Sequence, residues 1–148
     1  MSRAEKAKEL FENGYACSQA VALAFADAVG LDEKELAKIT LPFGGGLGRL
    51  RLTCGAVSGM ATIYGLLFAG EENTSENKLA TYAGVRGLCE KFEAQLGTLI
   101  CAELLEGNIL KKQEDGCAPE YYKKCSCGEI VYIAASILEE YAKEKGKL

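Results

Sequence analysis

The sequence predicts an all-α fold, a single compact bundle of about six to seven helices over residues 1–148 with one glycine-rich interhelical loop. Three observations predict it. Apolar residues recur three and four apart along most of the chain, no strand-like alternation persists, and capping signals precede the apolar runs. The chain has 148 residues, 49% of them apolar and 26% charged, which suits one domain with its own core.

Taken in order, Ser2 with Glu5 forms a capping box, and Ala4, Ala7, Leu10 and Phe11 give the first apolar face before Asn13-Gly14 stops it. A second helix begins near Cys17, carries Val21, Ala24, Phe25 and Ala28 inward and ends at Gly30. Asp32 with Glu35 caps a short third helix that must stop before Pro42. The glycine-rich run from Phe43 to Thr53 follows, then a buried central helix from Cys54 to Gly70. Asn73 and Glu76 open a long helix whose core face is Tyr82, Val85, Cys89, Phe92 and Leu96, closed by Gly97. A short helix spans Cys101 to Leu105 and closes at Gly107. Residues Asn108 to Cys125 read as a loop, and Ser126 with Glu129 caps a last helix striped by Ile130, Ala134, Ile137, Leu138 and Tyr141.

Composition excludes several functions. The chain has no histidine, which removes Ser-His-Asp and Cys-His nucleophile pairs, imidazole acid–base chemistry and imidazole metal sites. The net charge is −4 and no basic stripe exists, so no nucleic-acid partner is expected. From Leu52 to Gly70 no residue is charged, but Thr53, Cys54, Ser58, Thr62, Tyr64 and four glycines dilute the stretch. A buried helix of a soluble protein is the expected reading, with no membrane insertion. The mixed-charge amphipathic N-terminus is unlike a secretory signal, so a cytoplasmic location is expected, where thiols stay reduced.

The seven cysteines carry the remaining chemistry. Four sit at helix starts. Thr53 as N-cap puts Cys54 in a first turn, Ser126 does the same for Cys127, Thr98 precedes Cys101, and Gly14 precedes Cys17. Unpaired amides and the helix dipole favour thiolate there, the form that attacks disulfides and binds metals. The competing reading is a set of small buried residues that share nothing. Cys89 falls on an apolar stripe and is expected to be core. Cys117 and Cys125 lie in the irregular segment as extra ligands, a resolving pair or incidental residues, and Cys125-Ser-Cys127 is a weaker signal than paired CxxC knuckles.

The run Phe43-Gly-Gly-Gly-Leu-Gly-Arg49 lacks the third glycine of a dinucleotide fingerprint and the Gly-Lys-Ser/Thr of a phosphate loop. No nucleotide is expected. Its first role is a tight turn against another helix, and Gly44, Gly45, Gly46 and Arg49 are secondary candidates for donating to thiolates, an anion or a cofactor. Gly55 and Gly59, one turn apart, permit close helix contact that would bring Cys54 near other helices.

Together these residues resemble the C_GCAxxG_C_C family, named for its cysteine pattern and taken to be redox-active from it. The matching pieces are Gly14-Tyr-Ala-Cys17-Ser-Gln-Ala-Val, Phe43-Gly-Gly-Gly46, Cys54-Gly-Ala-Val-Ser-Gly59, Gly97-Thr-Leu-Ile-Cys101 with Leu104-Leu105, and Cys127 ahead of Val131 and Ala134-Ala135. The pattern is also similar to part of split-Soret cytochromes. The resemblance implies a small helical protein with four family cysteines, Cys17, Cys54, Cys101 and Cys127, the same four that helix-start placement selects. Cys89, Cys117 and Cys125 lie outside it. No haem is implied, because a CxxCH attachment needs histidine.

The expected function is therefore redox activity through those four cysteines, as ligands of an Fe–S cluster or zinc or as redox thiols. The alternatives are metal-free thiol–disulfide exchange, and a structural zinc bundle that serves as a binding partner. Expected partners are an electron-transfer or transport-associated protein and a second copy in a homodimer.

Overall fold

The computed structural model describes residues 1–106 and 127–148. The described residues form eight α-helices and no strand: α1 (Arg3–Glu12), α2 (Cys17–Leu23), α3 (Ala26–Val29), α4 (Glu33–Thr40), α5 (Gly55–Phe68), α6 (Ser75–Leu96), α7 (Cys101–Glu106) and α8 (Cys127–Glu144). A 3-10 turn, Leu41–Phe43, carries Pro42 directly after α4. The expected loop from Asn108 to Cys125, Gly107, Ser126, Cys117 and Cys125 lie outside the described residues.

Several starts and stops follow the local chemistry. Ser2 and Glu5 make the reciprocal capping box on α1. Asp32 accepts from the Lys34 and Glu35 amides at the start of α4. Gly30 and Gly97 end α3 and α6 in the left-handed conformation that glycine adopts without cost. Two boundaries differ. The expected second helix breaks at Ala24 and Phe25 into α2 and α3. Thr74, and not Asn73, caps α6, because its hydroxyl accepts from the Asn77 amide.

The centre of the bundle also differs from expectation. Every residue of α2 after Cys17 is buried, so α2 shares the core position expected for α5 alone. Its polar side chains are satisfied from α4: Ser18 Oγ donates to Thr40 O at 2.7 Å and Gln19 Nε2 to Ala37 O at 3.0 Å. Gly59 makes the α2–α5 approach possible, since a Cβ there would stand 2.5 Å from Ser18 O. On the other side α1 packs along α8 with Phe11 buried and Lys8 paired to Glu129. On α8 the predicted stripe holds, with Ile130, Ala134, Ile137 and Leu138 buried.

The long helix α6 turns inward a face that shares Phe92 with the expected one but is rotated toward Leu88 and away from Tyr82. Its buried residues are Leu88 and Phe92, whereas Val85, Cys89 and Leu96 only flank the core and Tyr82 is 58% exposed. A Cβ at Gly84 would overlap the Tyr64 hydroxyl, and Tyr64 stacks on Phe68 at 4.9 Å between ring centres. The register of α6 is thus set by where Tyr64 needs space.

Among the described residues no helix is long and apolar enough to cross a membrane. The uncharged stretch that raised the question supplies α5, whose outward positions include Ser58, Thr62 and the exposed Leu66.

Candidate functional site

Each of the four helix-start cysteines opens a helix. Cys17, Cys101 and Cys127 are the first residues of α2, α7 and α8. Cys54 is itself the N-cap of α5, one position earlier than a Thr53 cap would place it. All four line one cavity of about 430 Å³, although they come from four separate stretches of chain. Cys89 does not line it.

Local interactions bring them together. A side chain at position 55 would collide with Cys17 Sγ and would stand 2.9 Å from Phe43 O, so glycine at the start of α5 leaves the space that the Cys17 sulfur takes. An isolated antiparallel bridge joins Thr53 to Ile100. Around it the Cys54 amide donates to Leu99 O at 2.8 Å, the Cys101 amide to Leu52 O at 2.6 Å and the Ala102 amide to Arg51 O at 3.2 Å. These backbone bonds tie together two cysteine positions nearly fifty residues apart. Thr98 steadies the approach to α7, accepting from the Ile100 amide at 3.1 Å and donating to Glu103 at 2.7 Å.

The glycine-rich run wraps the same cavity. Residues 45–49 all have positive φ, and Arg51 follows at +62°. Glycine tolerates this, but Leu47, Arg49 and Arg51 each give up about 1–2 kcal/mol in the left-handed region. Gly44, Gly45 and Arg49 line the cavity as the sequence suggested; Gly46 abuts it, since a Cβ there would stand 2.7 Å from Cys101 Cβ. Arg51 was not anticipated. It lines the cavity and its Nη1 donates to Cys101 Sγ at 3.8 Å. The available signal was the alternation Arg49-Leu50-Arg51 just ahead of Cys54. Apolar wall residues, Tyr15 and Leu41 among them, were also not anticipated.

Burial dominates the electrostatics. It pushes the Cys54 thiol up to about 12, with the neighbouring Cys17 charge adding to the rise and the Val57 and Ala56 amides opposing it. Burial raises Cys17 too, against the Gly45 amide, and the charge of Cys101 adds to it. The raised Cys89 thiol has a different cause beyond burial, the carboxylates of Glu93 and Glu90. Helix-start placement alone would favour thiolate, and in Cys17 and Cys54 burial outweighs it. Among the described residues no disulfide joins two cysteines, and no three ligand side chains stand close enough together to hold a metal ion.

The family profile described as "Putative redox-active protein (C_GCAxxG_C_C)" matches residues 15–141. A comparison with curated proteins gives no match. Among solved structures the chain is similar to the split-Soret cytochrome c of Desulfovibrio desulfuricans, with a TM-score of 0.62 and 14% identity over 97% of this chain and 70% of that one. That structure is described for a novel iron centre. At this identity the likeness is one of fold.

Proposed function

The chain belongs to the C_GCAxxG_C_C family, and from that premise we propose that Cys17, Cys54, Cys101 and Cys127 form a redox centre that holds iron through their sulfurs. The observation that carries this reading is that all four, and not Cys89, line one cavity. The chemistry of the donors suits the group, while among the described residues no three of them stand close enough together to ligate one ion. Four sulfurs with no imidazole suit an iron–sulfur or zinc site, and Arg49 and Arg51 offset the charge that several thiolates would gather. The iron centre described for the split-Soret cytochrome with the same fold favours iron over zinc. When bound, such a group supplies one-electron exchange.

The chain's own residues prepare the site. Gly55 lets the Cys17 sulfur reach the start of α5, and the Thr53–Ile100 bridge fixes Cys54 beside Cys101. Arg51 orients the Cys101 sulfur. Cys54 is buried in that wall of the cavity, and desolvation holds Cys17 and Cys54 as thiols until a cation displaces their protons.

Elemental analysis of protein purified without oxygen tests this. Iron at a stable ratio that is lost in Cys54→Ala supports it, and unmodified reactive thiols with no metal would sink it. Zinc in place of iron would move the reading to a structural site. A second reading, thiol–disulfide exchange, is favoured by the Arg51–Cys101 contact, since an adjacent guanidinium suits an attacking sulfur. It requires a reducible disulfide among the four cysteines, visible by peptide mass spectrometry after mild oxidation.

A further inference from the structure

The cavity is larger than contact among four sulfurs requires. At about 430 Å³ it lies within the range of small-molecule sites, and its wall combines two kinds of surface. Phe11, Leu41, Leu104, Leu105 and Ile130 supply apolar surface, and among the described residues the cationic side chains on it are Arg49 and Arg51. Both arginines sit in left-handed backbone, φ +63° and +62°, a conformation that ordinary side chains adopt only where surrounding structure enforces it. The enforcement is visible. The Arg49 amide donates to Gly44 O at 3.2 Å and the Arg51 amide to Gly45 O at 3.1 Å, while Arg51 O accepts from Ala102. The strained loop thus places two permanently charged side chains on the wall of a cavity bordered by sulfur, one of them donating to Cys101 Sγ.

We infer that Arg49 and Arg51 form an anion subsite in the cysteine cavity, so that it binds a small organic anion whose apolar body rests on the Phe11, Leu41 and Ile130 walls. Arginine forks bind carboxylate groups through paired hydrogen bonds, and the apolar walls call for a carbon body behind the charge. The subsite stands on the arginines and the cavity. That its occupant is the redox partner rests on the reading of the cysteines as a redox centre.

The test compares two alkylating reagents of nearly equal size, anionic iodoacetate and neutral iodoacetamide. They are applied to the reduced full chain at low ionic strength, with a chelator present so that no bound metal shields the sulfurs. Rates are read at each cysteine by peptide mass spectrometry, and circular dichroism confirms that the chain stays folded. The ratio of the two rates cancels the reactivity of each thiol and reports the charge that the reagent meets. Cys89, beside Glu90 and Glu93, is an internal control where the anionic reagent is disfavoured.

The expected ratio at Cys101 and Cys17 is about tenfold above that at Cys89, falling toward the unfolded-chain value in Arg49→Gln/Arg51→Gln and at high salt. A ratio at Cys101 and Cys17 no higher than in the unfolded chain, or one unchanged in the double variant, overturns the subsite. Benzoate should slow iodoacetate at Cys101 more than inorganic phosphate does; equal slowing would overturn the organic part of the assignment. The result is independent of metal content. A cavity without iron and with a raised ratio would end the metal reading and leave the anion subsite standing.

Discussion

The sulfur of Cys17 occupies the space that a side chain at position 55 would need. This one relationship ties the start of α2 to the start of α5 and makes Gly55 a structural condition of the site. Gly55→Ala should destabilise the protein by about 1–3 kcal/mol, the range for overpacking a tight interior. Gly65 lies in the same helix with nothing within 4 Å of an added Cβ, so Gly65→Ala should stabilise by about 0.5–1 kcal/mol. Urea midpoints of the two variants should move in opposite directions.

The helix α6 offers a second contrast. Phe92 is fully buried and its truncation to alanine should cost about 3–5 kcal/mol. Tyr82 is largely exposed on the same helix, and Tyr82→Ser should change stability by less than about 0.5 kcal/mol. Equal losses in a denaturation series would show that α6 packs through the other face.

Thiol burial predicts a pH dependence. The Cys54 thiol, ordinarily near 9.0, is pushed up to about 12 by burial. Between those values the unfolded metal-free chain releases a proton that the folded chain keeps. Its contribution to stability is therefore complete below pH 9.0 and falls as pH rises toward 12. The decline should approach about 1.4 kcal/mol per pH unit for one proton. A metal-loaded chain should lack this slope, because bound thiolates carry no proton to retain. Denaturant titrations on both sides of pH 9.0, with and without chelator, measure it.

At the acid end, the hydrogen bond from Arg3 holds the Asp27 carboxyl below its ordinary 3.8. Arg3 reaches it with both Nη1 and Nη2, at 2.7 and 3.2 Å, and also donates to Ala24 O. Stability from this pair is present above pH 3.8 and is lost as pH falls through the lowered folded value. The Asp27 side chain is 68% exposed, so Asp27→Asn should cost only about 0.5 kcal/mol near neutral pH. That difference should vanish in acid unfolding curves taken well below pH 3.8.

The parts of this fold that were legible in the sequence are those decided locally. The Ser2–Glu5 box, the Asp32 cap, the glycine stops at positions 30 and 97 and the helix-start placement of Cys17, Cys101 and Cys127 depend on residues within one turn of each other. Cys54 stands one position earlier than its expected cap would put it. The family resemblance selected the same four cysteines, each of which stands at a helix start in this chain. The inward face of α6 was not legible, since Leu79, Tyr82, Leu88 and Phe92 leave apolar residues on more than one side and the choice depends on Tyr64 from another helix. Arg51 was hidden for a similar reason. Its direction follows from a positive φ imposed by hydrogen bonds to Gly45 and from Ala102, about a third of the chain away. The break at Ala24–Phe25 has no glycine or proline to announce it.

The run from Gly45 to Arg49 has the backbone of a mirror-image turn. For this short stretch the stereochemical preference of the polypeptide is inverted, so D-leucine at position 47 and D-arginine at position 49 would be the relaxed residues and their natural enantiomers the strained ones. Protein made by chemical ligation with D-residues at those two positions should melt at a higher temperature than the all-L chain, whereas the same replacement inside α5 would break a helix. At positions 47 and 49 the wall of the cysteine cavity is thus built in a handedness that L-residues other than glycine reach only by giving up stability.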